Sequence, residues 1–379
     1  MNKININYYE NYDNQKMQLD RHNPRYVLSL PSVDDILYFV ATNEFKKNTK
    51  EEIIKELQCN ESIIDDLIEI GVLSIEDKGL KMACPFFLEK DIILLQKSLD
   101  NISSTLANKL IADKSSVYAF TNNFSNGHPV KDNLYHIICG MIFGIFFFDQ
   151  LEGDGLIRTQ KTLNNNHEYM MVLYENTPLV RKLSHELLCS YNCYGNSIGA
   201  FESFGDKNGE RLDFYSFIRQ LGLEKVNPNY KTLLEVYNTL ADKEHFKDNL
   251  VTAFINYYKG RSIDDKYKKI LELTGYIKNN GINIEVFFAK DEIEIAKVYG
   301  EIKSLLLEDI KKYLMEIQNS ISFSMSAHNV DKLAIAYELC YLIFGSINEK
   351  IVRASFVAMP PYFDGQGRYR KMFRLFQSI

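Results

Sequence analysis

The sequence predicts a helix-rich α+β fold, and three observations carry that expectation. Apolar residues recur at helical spacing over long stretches, for example Ile295, Val298, Tyr299, Ile302, Leu305 and Leu306. Between these stretches lie short β-branched and aromatic runs bounded by Gly, Asn and Asp, the pattern of hairpins. Apolar residues make up 46% of the 379 residues, enough for more than one core. Four segments follow. They are a polar N-terminal extension (1–30), a compact helical module with a hairpin (31–98), a mixed α/β region (99–223), and a mostly helical region ending in a two-stranded hairpin (224–379).

In the second segment Ser32 opens a helix through Ile36, Leu37, Phe39 and Val40. Thr49 with Glu52 forms a capping box for the next, Asn60 caps a third, and Gly71 stops it. Two short strands then flank Asp77-Lys78-Gly79. Three helices followed by a hairpin resemble the winged helix-turn-helix superfamily over residues 31–98. The resemblance implies a regulatory module, with the hairpin as its wing.

In the third segment Leu134–Phe148 is apolar throughout but shorter than the roughly 20 residues a spanning helix needs. It reads as a buried central helix (134–148), with no membrane role. Two later stretches echo the first module, one running to EYMMVLYE and one around Gly281, Phe287-Phe288 and Asp291. They read as the common αββ grammar of small domains. The terminal run KIVRASFVAMPPYFDGQGRYRKMFRLF reads as two strands joined by a Pro-Pro and Asp-Gly loop.

Three partial motifs overlap between residues 184 and 217. His185, Cys189 and Cys193 at i, i+4 and i+8 suit zinc chemically. On one helix, though, the outer pair lies about 12 Å apart. Gly195-Asn-Ser197-Ile-Gly199 matches a nucleophile elbow, yet the segment before it reads as helix and the segment after it as strand, the inverse of what the elbow needs. Asp206-Lys-Asn-Gly209 resembles part of a calcium loop, but Phe204 and Tyr215 fall on ligand positions. No metal, cofactor or catalytic residue is therefore expected. The expectation is a non-enzyme, with a polar ligand pocket of Glu202, Asp206, Arg211 and Asp213 as the alternative that would admit chemistry around Gly205–Asp213.

The net charge of −6 restricts any DNA contact to a local patch. Between Ser32 and Lys90 thirteen acidic residues face seven basic ones. The third helix holds Glu61, Asp65, Asp66 and Glu69 and no basic residue, which points it toward a protein partner. The last thirty residues hold six basic residues and one acid. Nucleic-acid contact is therefore expected through wing residues Lys78 and Lys81 and through Arg368, Arg370 and Lys371. Six scattered cysteines with no CxxC, and no apolar leader, suggest free thiols in a bacterial cytoplasm. The apolar helices 292–318 and 329–344 suggest a homodimer. The sequence thus supports a cytosolic winged-helix regulator with a ligand- or partner-sensing region. A protein-interaction scaffold that binds no nucleic acid is the alternative.

Overall fold

A computed structural model describes residues 3–10, 23–43, 48–77, 79–124, 126–158, 161–162, 168–207, 209–221, 226–320, 323, 325, 328 and 330–377. The fold is α+β, with long helices and small sheets. It divides into two compact units. One comprises residues 1–103, 148–186 and 308–343, and the other 104–147, 187–307 and 344–379.

The first unit begins with strand β1 (Ile4–Glu10) in the segment expected to be an extension. A short helix Pro24–Leu28 and three further helices follow, Val33–Thr42, Lys50–Leu57 and Glu61–Glu69. Thr49 accepts the Glu52 N–H at 3.2 Å and Asn60 accepts the Ser62 N–H at 3.0 Å, so both residues cap their helices, and of the expected capping box the Thr49 half forms. At Gly71 (φ 71°) the third helix stops, with Val72 N–H donating to Leu67 O at 3.0 Å. A hairpin of β2 (Leu73–Glu76) and β3 (Gly79–Met82) follows, then β4 (Phe86–Phe87) and the long helix Glu89–Ala112. The unit's sheet closes through β5 (Lys161–Thr162) and β6 (Glu168–Glu175). β6 lies between antiparallel β1 and parallel β4.

The second unit is built on a five-stranded sheet. β7 (Leu188–Gly195) forms a hairpin with β8 (Gly199–Asp206). Next come the helices Phe214–Ile218, Lys231–Asn238, Phe246–Tyr258 and Asp265–Leu273. The last stops at Gly275 (φ 71°), with Tyr276 N–H donating to Leu271 O at 2.9 Å. A hairpin of β9 (Ile277–Lys278) and β10 (Gly281–Ile282) turns on Asn279 and Asn280, both at positive φ. β11 (Glu285–Phe287) and the first part of the long helix Glu292–Ser320 follow, then the last part of the helix Lys332–Arg353, β12 (Tyr362–Phe363) and β13 (Gly367–Leu375). β13 lies between antiparallel β8 and parallel β11.

The two halves of the chain therefore repeat one topology. From β1 in the first half and from β8 in the second, the chain runs strand, short helix, three helices, hairpin, short strand, long helix, long helix and hairpin, and the last strand pairs between the first and the fourth; the second half adds β7 ahead of this order. The match reaches single residues. Asp91 accepts the Leu88 N–H at 3.0 Å, and Asp291 accepts the Phe288 N–H at 2.8 Å. The echoes read as shared grammar are thus parts of a recurrence that spans each half.

The apolar central segment lies in a helix extending over Val130–Gly153. That helix is long and apolar enough to cross a membrane, but 72% of its most apolar window is buried. Its glycines serve close packing on the sheet. A Cβ on Gly140 would lie 3.5 Å from Phe204 Cβ, and one on Gly144 would lie 3.3 Å from Tyr191 Cβ. The terminal hairpin expected in the sequence forms from β12 and β13, but its first strand is reduced to Tyr362–Phe363, because the helix Lys332–Arg353 takes the beginning of the expected strand. The apolar residues that suggested a dimer, including Val298, Ile302, Leu306, Leu339 and Ile343, are buried within the chain itself.

Gly205 leaves no room for a side chain beside β13, since a Cβ there would stand 2.1 Å from the Arg368 carbonyl oxygen. Gly205→Ala should therefore force the strands apart and lower stability by about 1–3 kcal/mol. Urea denaturation checks this, and an unchanged midpoint would mean the strands can part at no cost.

Candidate functional site

β13 carries Arg368, Arg370, Lys371 and Arg374, the segment expected to meet nucleic acid. It is paired on both sides, so it is neither a surface nor a free edge. Side chains alternate across a strand. Arg368, Arg370, Met372 and Arg374 thus share one face with Glu202, Phe204 and Asp206 of β8.

On that face each arginine meets two carboxylates. Arg368 contacts Asp206 at 2.7 Å and Glu349 at 2.6 Å. Arg370 contacts Asp132 at 3.0 Å and Glu285 at 3.0 Å. Arg374 contacts Glu202 at 3.1 Å and Glu292 at 3.8 Å. Burial opposes the charge on Glu285, but the hydrogen bond from His136 (3.1 Å) and the Arg370 charge hold its carboxyl down to about 2. Glu202 is wholly buried, and burial raises its pKa against the pull of Arg374 and Tyr191. Neither Glu202 oxygen has a hydrogen bond of normal geometry, nor does the Tyr191 hydroxyl. Three arginines are thus neutralised inside the protein.

The opposite face holds Tyr369, Lys371 and Phe373. Lys371 donates to the Thr274 carbonyl at the end of helix Asp265–Leu273 and lies over the rings of Tyr276 (5.4 Å) and Tyr369 (5.3 Å). Burial lowers its pKa to about 8. Arg211 and Asp213 join this side. Arg211 donates to Ser203 O at 3.2 Å and to Asp206 O at 3.0 Å. Asp213 accepts Asn192 Nδ2 at 2.9 Å and caps the helix Phe214–Ile218 through Ser216 N–H at 2.7 Å.

The four residues expected to line a ligand pocket therefore do not line one together. Glu202 and Asp206 point to one face of the sheet, while Arg211 and Asp213 serve the other. Period-two alternation separates what a loop reading had joined. In the first unit Lys81 is buried and bonded to Glu76 at 2.5 Å. Lys78 lies outside the described residues, as do Lys46 and Lys47. Of the acidic third helix, Glu61, Asp65 and Glu69 are exposed, with Asp65 paired to Lys50, and Asp66 is half-buried.

The overlapping motifs resolve into strand and turn. The helix starting at Pro178 ends at His185, and Cys189 and Cys193 lie on β7. The helical spacing assumed for a metal therefore does not exist. No cluster of three metal-ligating side chains occurs among the described residues. Ser197 sits in the β7–β8 turn, where Asn196 Oδ1 accepts the N–H of Ile198 (2.9 Å) and Gly199 (3.2 Å). That is strand–turn–strand, not the strand–helix of a nucleophile elbow.

Two features escaped the sequence reading. One is the third helix of the second half, Asp265–Leu273. It carries Lys266, Lys268 and Lys269 where its counterpart Glu61–Glu69 carries only acids. Lys266 and Lys269 are exposed on it, as is Lys278 on the adjoining hairpin. Lysines at this spacing are visible in the sequence, but they gain meaning only beside the acidic counterpart helix in the first half. The other is a cavity of about 390 Å³ at the head of the long helix Glu292–Ser320, between Tyr258, Phe288 and Leu375. Compared with known protein families, with curated proteins and with solved structures, the chain finds no match.

Proposed function

We propose that the chain is a cytoplasmic regulatory protein holding two winged-helix-like modules of opposite surface charge. The second module binds DNA and the first docks a protein. The observation that carries this reading is the inversion of charge on the third helix within one repeated topology. Helix Asp265–Leu273 holds three lysines and two acids, whereas Glu61–Glu69 holds four acids and no base. Phosphate neutralisation supplies most non-specific DNA affinity, so only the second module has the means to bind. Lys266 and Lys269 are one helical turn apart, and Lys278 lies on the hairpin that follows. The same logic directs the first module to a basic protein surface, because Glu51, Glu52, Glu56 and Glu61 are exposed around it. The internal pairing of Arg368, Arg370 and Arg374 supports moving the DNA surface away from β13.

A gel shift on genomic fragments at a series of salt concentrations tests the reading. A Lys266/Lys268/Lys269→Ala variant should bind more weakly. Its log–log salt slope should fall by about 0.9 for each phosphate contact removed. Binding that is absent, or unchanged in this variant, would refute the DNA role.

A further inference from the structure

The two halves share one arrangement at the head of their first long helix and fill it differently. In the first half the Glu175 carboxylate, at the end of β6, accepts the Glu89 N–H at 2.8 Å. Its other oxygen accepts the Tyr38 hydroxyl at 3.0 Å. A carboxylate of the chain thus occupies the positive end of that helix.

In the second half the matching residues follow from strand register. Phe87 pairs with Tyr174, and Phe287 pairs with Arg374. Leu375 therefore stands where Glu175 does, and Ala289 stands where Glu89 does. Asp291 still takes the Phe288 N–H, as Asp91 takes that of Leu88. With leucine at 375, the Ala289 N–H meets no acceptor among the described residues. The space beside it is the cavity of about 390 Å³, bounded by Ala289, Tyr258, Phe288, Leu375, Lys259 and Lys290. Lys259 and Lys290 are exposed, and neither has an ion-pair partner among the described residues. Tyr258 and Phe288 meet edge to face at 5.6 Å and form an apolar wall.

We propose that this cavity binds a small organic carboxylate with an aromatic or aliphatic body. The carboxylate takes the place that Glu175 fills in the first half. It accepts the Ala289 N–H and lies between the ammonium groups of Lys259 and Lys290. The body packs on Tyr258, Phe288 and Leu375. The volume falls within the roughly 300–1,000 Å³ of small-molecule sites. The helix N-terminus and the lysines select an anion over its neutral analogue, and the apolar wall packs the body of either. The site stands independently of the DNA reading, since its test needs no nucleic acid.

Isothermal titration of the full chain with benzoate, and with benzamide as the neutral analogue, provides the test. Benzoate should bind saturably, and benzamide at least about tenfold more weakly, the loss of one charge-assisted hydrogen bond. Ala289→Pro deletes the N–H at a first helical position that accepts proline, after a residue already extended at φ −105°, ψ 158°. It should lose benzoate binding with an unchanged melting temperature. Leu375→Glu should supply the chain's own carboxylate and exclude benzoate, and Lys259→Gln/Lys290→Gln should weaken it. The two latter variants decide the matter should proline disturb the helix. Absence of saturable benzoate binding, equal affinity for benzamide, or undiminished binding by Leu375→Glu would each overturn the proposal.

Discussion

Arg374→Met should destabilise the second unit by about 3–5 kcal/mol, the cost of leaving a buried charge without its partner. Glu202 is wholly buried, and its nearest cation is Arg374 Nε at 3.1 Å. Removing the guanidinium strands that carboxylate in an apolar setting beside Phe204 and Met372. The double variant Glu202→Leu/Arg374→Met should recover most of the loss. The first half supplies the reason, because it builds the same strand without this pair. There the position of Arg374 is Tyr174, paired across from Asn5, and its neighbours Met170, Met171, Val172 and Leu173 are apolar and buried. Tyr174 instead donates its hydroxyl to the wholly buried Glu338, so the fold needs no arginine at this place even where it buries a carboxylate. Glu292, the second partner of Arg374, is 39% exposed and can return to water. Urea denaturation of the three proteins checks the prediction. A double variant as unstable as Arg374→Met would show that the ions are needed for the architecture itself.

Local signals in the sequence located local structure well. Thr49, Asn60, Gly71 and Asp77 placed the helices and the hairpin of the first module because each acts on its own backbone neighbours. The central helix was legible from its apolar run, although its glycines serve packing against Tyr191 and Phe204. Long-range partners were not legible. Arg368 looks like a surface charge until Asp206 is brought to it across 162 positions. The helix expected through Cys193 gives way to β7 because pairing with β8 outweighs helical periodicity there. Each compact unit also combines segments from both halves of the chain, which a reading along the chain does not deliver. The repeated topology was half visible in Phe86-Phe87 with Asp91 and Phe287-Phe288 with Asp291. Its meaning depended on seeing β6 and β13 in the same position of their sheets. The candidate site was missed for the same reason: Leu375 is informative only beside Glu175.

Acid should expose the second charged pair on the same sheet face. Glu285 is held down to about 2 from an ordinary value of 4.5, against the effect of burial, by His136 and Arg370. A carboxylate whose folded pKa is depressed adds stability above its unfolded pKa. That contribution disappears as pH falls through the folded pKa. The window is therefore about pH 4.5 down to 2, and the full contribution at pH 7 is about 3 kcal/mol. The raised carboxyl of Glu202 acts with the opposite sign, as native protein takes up its proton first on acidification. The pH curve of the parent protein alone would mix the two. The difference between the parent and Glu285→Gln removes Glu202, common to both, and isolates Glu285. That difference should be about 3 kcal/mol at pH 7, begin to shrink below about pH 4.5, and approach zero near pH 2. Asp132 also contacts Arg370 at 3.0 Å, so the arginine keeps one partner in the variant and the lost stability belongs to Glu285. A difference that stays constant down to pH 2 would mean that Glu285 acts through packing and not through its charge.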